Sequence, residues 1–163
     1  MAQNRIGYVD VKSEPVHFYV QSSTSISVSE TGIIGSPIAF DVMVLNEGSA
    51  MDISTGIFIA PKSGTYLFDF SGVNDPSVPP VLSVVFYVNG KKSGSTLVAL
   101  ADDGNAISGQ QATMTLPSIW HLSVGDEVKL SISPTTGVLY SDVKDGIYTH
   151  FTGILLEEDI FRP

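Results

Sequence analysis

The sequence predicts an all-β domain, and three observations carry that prediction. Short β-branched and aromatic runs alternate apolar with polar residues. Turn signals separate these runs about every 8–12 residues, the spacing of a β-sandwich or barrel. No segment carries the 3.6-residue periodicity of an amphipathic helix.

The elements follow in order. Val16–Val20 ("VHFYV") is the first strand, and residues 21–36, rich in Ser, Thr and Gly, form a long connection or a short edge segment. Ile38–Leu45 is next, with Phe40, Val42 and Val44 alternating against Ala39, Asp41 and Met43, and "NEGSAMD" is a polar turn. Gly56–Ala60 and Thr65–Gly72 are two strands joined by a tight turn at Pro61–Gly64. After the proline-punctuated "NDPSVPP", Val81–Asn89 ends in Asn89-Gly90, a strong hairpin signal because both residues tolerate positive φ. Ser95–Ala101 returns, Gln111–Ile119 alternates weakly, and Glu127–Ser133 alternates cleanly. Ile147–Leu156 closes the set, interrupted by Gly153. The division is an N-terminal tail at 1–14, one domain at 15–158 and a C-terminal tail at 159–163.

Composition narrows function. The chain has 163 residues, of which 43% are hydrophobic and 15% charged, with mean hydropathy +0.23. That is apolar for one soluble domain, and a surface partly covered by identical partners would account for it. No apolar run reaches the roughly 18–20 residues of a membrane-spanning helix, so membrane insertion is not expected. Seventeen acidic residues against eight basic ones give a formal charge of −9, and both arginines, Arg5 and Arg162, lie at the chain ends. A nucleic-acid partner needs a basic stripe to neutralise phosphates, and none is present. The absence of cysteine excludes disulfides, thiolate metal sites and cysteine nucleophiles. The opening "MAQNRIGYVDV" lacks the basic-then-apolar pattern of a secretion signal.

One spacing is specific. Phe40 is followed after five residues by Asn46, after eleven more by Phe58 and after five more by Gly64; Tyr66, Phe68 and Phe70 then alternate. "TGIFIAP", "LSVGDEV" with Gly125 and Asp126, and "THFTGILL" with Phe151 and Gly153 complete an ordered series. The series resembles the signature of the complement 1q globular-head family, part of the tumour-necrosis-factor-like jelly rolls. It departs mildly at Met51, where the family carries an aromatic residue or Leu. The resemblance covers roughly residues 15–158. It implies a ten-stranded jelly-roll β-sandwich assembled as a compact homotrimer, non-enzymatic, secreted or extracellular, and engaged in recognition.

The residues themselves have plain readings. Tyr66, Phe68 and Phe70 share one face of a strand, which is normally the inner face of a sandwich. Gly64 and Gly125 sit where turns call for positive φ or close approach, and Gly153 would let a neighbour come close. His17, His121 and His150 are scattered, with no metal-ligand spacing. Trp120 reads as packing, and Asp126 as turn chemistry with its carboxylate on a nearby backbone N–H.

"ADDGNAISGQQ" is the most distinctive polar loop. Adjacent carboxylates at Asp102 and Asp103, with amide oxygens, suit a hard cation; the alternative is a solvated acidic turn. The resemblance implies calcium in this inter-strand region, and local alignment puts a second acidic ligand of some members at Gln110, which is neutral. Asp142 and Asp145 in "YSDVKDG" form a weaker candidate. The functional expectation is a lectin-like pattern-recognition protein of innate immunity that binds glycans or microbial surface ligands, calcium-assisted. The alternatives are a cell-surface receptor ligand of cytokine-like or synaptic-adhesion type, and a structural extracellular-matrix trimerisation domain.

Overall fold

A computed structural model describes residues 14–27, 36–75, 81–99, 111–132 and 137–160. Among these the chain forms β1 (His17–Ser22), β2 (Thr24–Ser27), β3 (Val42–Glu47), β4 (Met51–Asp52), β5 (Ile57–Ile59), β6 (Gly64–Val73) and β7 (Val81–Val88). They are followed by β8 (Lys91–Ala99), β9 (Thr113–Thr115), β10 (Ser118–Leu122), β11 (Glu127–Ile132), β12 (Val138–Asp142) and β13 (Thr149–Glu158). One sheet has the order β10-β6-β13-β1-β3, with β9 beside β10 on the same edge of β6; a second has the order β4-β5-β11-β7-β8. A two-stranded ribbon, β12-β2, sits at one end. All these pairings are antiparallel and mostly non-local, as a jelly roll requires.

Thirteen strands stand among the described residues where the resemblance implies ten, and several of the differences have an identifiable cause. Pro117 has no N–H for the ladder, so the expected strand at 111–119 breaks into β9 and β10, both still on β6. β4 lies inside the expected polar turn because Asn46 holds Met51 from both sides, its Nδ2 donating to Met51 O (2.9 Å) and its Oδ1 accepting from Met51 N (3.2 Å). The expected strand Ile38–Leu45 is divided between the two sheets. Ile38 N donates to Leu130 O (2.8 Å) in the second sheet, and Asp41 N to Gln21 O (3.2 Å) in the first, so the chain crosses between them before β3. β8 starts at Lys91, since Asn89 (φ 49°) and Gly90 (φ 75°) return the chain within two residues. Its lysine-rich start is typical of a protected sheet edge rather than of a buried strand. β12 was not expected, and its pairing with the distant β2 is what defines it.

The core lies between the two larger sheets and is aromatic. Tyr66, Phe68 and Phe70 are fully buried, as are Phe18, Phe58, Phe86 and Phe151. Phe58 of the second sheet meets Phe68 edge-on at 5.2 Å and Phe18 at 5.4 Å; Phe86 meets Phe151 at 5.8 Å. Phe40 stacks on Phe151 at 5.9 Å, and Trp120 stands edge-on to Phe86 at 5.0 Å. The Tyr66 hydroxyl escapes isolation by donating to Lys62 O (2.8 Å), and burial raises the pKa of its phenol.

Gly153 makes this arrangement possible. A Cβ there would lie 2.3 Å from the Phe18 ring and 2.9 Å from the Phe68 ring. Gly64 serves a similar purpose against backbone: its Cβ would lie 2.1 Å from Glu157 O, where β6 and β13 begin their ladder. Gly153→Ala should therefore destabilise the domain by about 1–3 kcal/mol through overpacking. The shift of the urea midpoint measures this, and adding Phe18→Leu should recover part of the loss. An unchanged midpoint in the single variant would contradict the packing described.

Candidate functional site

Of the candidate cation ligands, Asp102, Asp103 and Gln110 lie outside the described residues. Among the described residues no group of three or more His, Asp or Glu side chains could hold a metal ion. The histidines are apart. The His150 ring N–H at Nε2 donates to Ile147 O (2.6 Å), which leaves Nδ1 to accept from Tyr19 OH. His121 Nε2 pairs with Asp159 Oδ2 (2.8 Å). His17 lies on β1 opposite Ile154.

Asp126 belongs to the β10–β11 turn, where Gly125 has φ 88°. Its Oδ2 accepts from Ser123 N (2.8 Å) and its Oδ1 from Asn89 Nδ2 (2.9 Å), while Asn89 Oδ1 accepts from Glu127 N (2.9 Å). The two turns at this end are thereby tied together.

Two surfaces stand apart from the core. The first is the outer face of the six-stranded sheet. One register row crosses it from Ile119 on β10 through Leu67 on β6 and Ile154 on β13 to His17 on β1. Ile119 is 61% exposed, and Leu156 beside this row 54%. Singly exposed aliphatics are ordinary, but this row sets three of them side by side on adjacent strands.

The second surface is the loop that joins β12 to β13. Tyr140 OH donates to Asp145 Oδ2 (2.8 Å), Tyr148 OH donates to Asp145 O (2.8 Å), and the two rings lie 6.0 Å apart at 26°. Asp142 Oδ1 accepts from Lys144 N (2.7 Å). Both carboxylates thus serve the loop itself. The hydrogen bond to Asp145 and the nearby negative charge push the Tyr140 phenol up to about 12. Sequence reasoning singled out the two aspartates and missed the tyrosines, although their flanking of "SDVKDGI" was there to be read.

The family model of the C1q domain matches residues 17–156. The chain belongs to the C1q domain family. Similar curated proteins are Caprin-2 of Danio rerio, 30% identical over 153 residues and 89% of this chain, and human Complement C1q tumor necrosis factor-related protein 3, 30% identical over 143 residues and 88% of this chain. The chain spans 15% of the first relative and 52% of the second. The globular domain of zebrafish complement 1qA has the same fold, with a TM-score of 0.67 at 16% identity, 88% of this chain and 99% of that one. Eiger TNF from S. frugiperda also scores 0.67, at 11% identity, 93% of this chain and 99% of that one. Membership places this C1q domain among non-enzymatic ligand-binding modules.

The Tyr140–Asp145 bond has a readable pH signature. In an ultraviolet tyrosinate titration one phenol of the C1q domain should ionise near 12, and Tyr140→Phe should remove that step. Asp145→Ala should return it toward the ordinary value of about 10. Because the folded pKa lies above the unfolded one, the bond's contribution to stability is complete below pH ~10 and is lost as the pH rises through about 12. A titration in which Asp145→Ala changes nothing would contradict the contact.

Proposed function

We propose that this C1q domain acts as a secreted homotrimeric recognition module, lectin-like, binding glycans or microbial surface ligands in innate defence. The observation that carries the assembly is the apolar row Ile119–Leu67–Ile154 on the outer face of the six-stranded sheet. Those side chains stay wet in a monomer, and each aliphatic chain removed from water contributes roughly 1.5–3 kcal/mol. Three copies of a weak site then gain affinity from being held together.

Calcium assistance is part of the proposal. The carboxylates of Asp102 and Asp103, with the amide oxygen of Gln110, are a hard-oxygen donor set that suits Ca²⁺. A second reading, as a receptor ligand, is favoured by similarity to a C1q tumor necrosis factor-related protein over most of this chain.

Light scattering should give a mass about three times the 17.4 kDa of the chain, and Ile154→Asp should reduce it to that of a monomer with the strand content kept. A stable wild-type monomer at micromolar concentration would refute the assembly. Millimolar Ca²⁺ should raise Tm, because a ligand bound only by the native state stabilises it by about 2.7 kcal/mol at a hundredfold excess over Kd. Asp102→Ala/Asp103→Ala should abolish that rise, and an equal rise in the variant would remove calcium from the proposal. Glycan-array binding that free sugar displaces supports the lectin reading, whereas saturable binding to one membrane protein supports the second.

A further inference from the structure

We infer that Asn89 is a site of spontaneous deamidation, restrained by the fold, whose conversion to a carboxylate unties the β7–β8 turn from the β10–β11 turn.

Asn89-Gly90 is the single Asn-Gly step in the sequence. Asparagine is among the thermally labile residues, and a following glycine leaves the reaction path open because no side chain shields the next backbone nitrogen. In the reaction Gly90 N attacks Asn89 Cγ and the Cγ–Nδ2 bond breaks. The Gly90 N–H proton leaves with Nδ2 as ammonia, and a cyclic succinimide remains. Water then opens the ring at Cγ to give aspartate, or at the Asn89 backbone carbonyl to give isoaspartate. Water is the only reagent consumed. The turn offers no steric shield: Asn89 and Gly90 are both exposed, and a Cβ placed on Gly90 would meet nothing within 4 Å.

The restraint comes from the hydrogen bonds of the side-chain amide. Asn89 Nδ2 donates to Asp126 Oδ1 (2.9 Å), and Asn89 Oδ1 accepts from Glu127 N (2.9 Å). A backbone N–H only donates and a carboxylate only accepts, so the amide has one orientation that satisfies both. The leaving nitrogen and the carbonyl oxygen are therefore both tied to the β10–β11 turn. Asp126 is itself anchored, its Oδ2 accepting from Ser123 N (2.8 Å), and Gly125 N donates to Ala60 O (2.8 Å). Cγ can swing over Gly90 N only when these bonds open, so local opening sets the rate.

The same contacts make the product destabilising. Aspartate at 89 keeps the acceptor for Glu127 N, loses the donor to Asp126 and sets a second carboxylate against it. Isoaspartate adds a methylene to the main chain of a two-residue turn. That turn has φ values of 49° and 75° and is fixed in length by the strand register on either side. Refolding reverses neither product. An interval spent open or unfolded is thus recorded at this position.

The test incubates the whole wild-type chain at mildly alkaline pH, folded and in urea. Peptide mass mapping follows the one-unit mass gain at Asn89, and an isoaspartyl methylation assay follows the second product. In urea Asn89 should convert before Asn4, Asn46, Asn74 and Asn105. In the folded protein it should convert at least about tenfold more slowly, the factor carried by a hydrogen bond to a charged group. Asp126→Ala should restore about tenfold of that difference, and Asp126→Asn, which keeps an acceptor for Nδ2, should fall between. Asn89→Asp, which builds in the product, should lower the urea midpoint, and less so in high salt or beside Asp126→Ala.

Conversion of Asn89 in urea no faster than that of the other asparagines would overturn the site. Equal rates in folded and unfolded wild-type protein, or in a folded Asp126→Ala variant and wild type, would overturn the restraint. An unchanged midpoint in Asn89→Asp would overturn the untying of the turns. The wild-type comparison and Asn89→Asp decide the matter even where Asp126→Ala fails to fold.

Discussion

Phe18 and Phe68 meet over Gly153, on three adjacent strands of one sheet, and the rest of the sandwich is arranged around that contact. A strand face with a side chain at every second position would hold its neighbours' rings apart. Leaving one position bare lets two rings close over the gap, and Phe58 from the opposite sheet then packs on both. Close packing makes this an all-or-none arrangement, because a void or an extra methyl in such a core has nowhere to dissipate. The aromatic nest thereby fixes how the two sheets face each other.

That orientation decides what reaches the surface. Since Tyr66, Phe68 and Phe70 point inward, Leu67 and Asp69 must point outward, and the same alternation on β13 turns out Thr152 and Ile154. The apolar row across the six-stranded sheet is thus the reverse side of the core. The β12–β13 loop is largely independent of it. The segment that carries Tyr140 and Tyr148 hangs from Ser141 and the β12–β2 ribbon, outside the aromatic nest. A domain built this way can vary its loops without disturbing how its core packs, which is the usual division between a scaffold and its loops.

Turn chemistry links the two levels. Asn46 does with one side chain what a strand partner would do with its backbone, satisfying Met51 N–H and C=O together. The Asn89–Asp126 pair joins the β7–β8 turn to the β10–β11 turn in the same manner. These are polar solutions to the requirement that backbone groups leaving a ladder find partners.

Much of the architecture was legible in the chain alone. Period-two alternation marked β6 and β11, apolar runs marked β7 and β13, Asn-Gly marked the β7–β8 hairpin, and the run from Phe40 to Phe70 identified the family, because each feature depends on residues close in sequence. The tertiary structure decided the rest. Whether 38–45 is one strand or a crossing depends on Leu130 and Gln21, far away in the chain, and whether 111–119 is one strand or two depends on which β6 groups Pro117 faces. The Tyr140–Tyr148 pair was invisible for the same reason. Tyr140 and Tyr148 are eight positions apart, and only the closure of the β12–β13 loop onto Ser22 and Ser25 brings their rings to 6.0 Å. Local periodicity reports which face a side chain takes; what meets it there is set by contacts the sequence does not order.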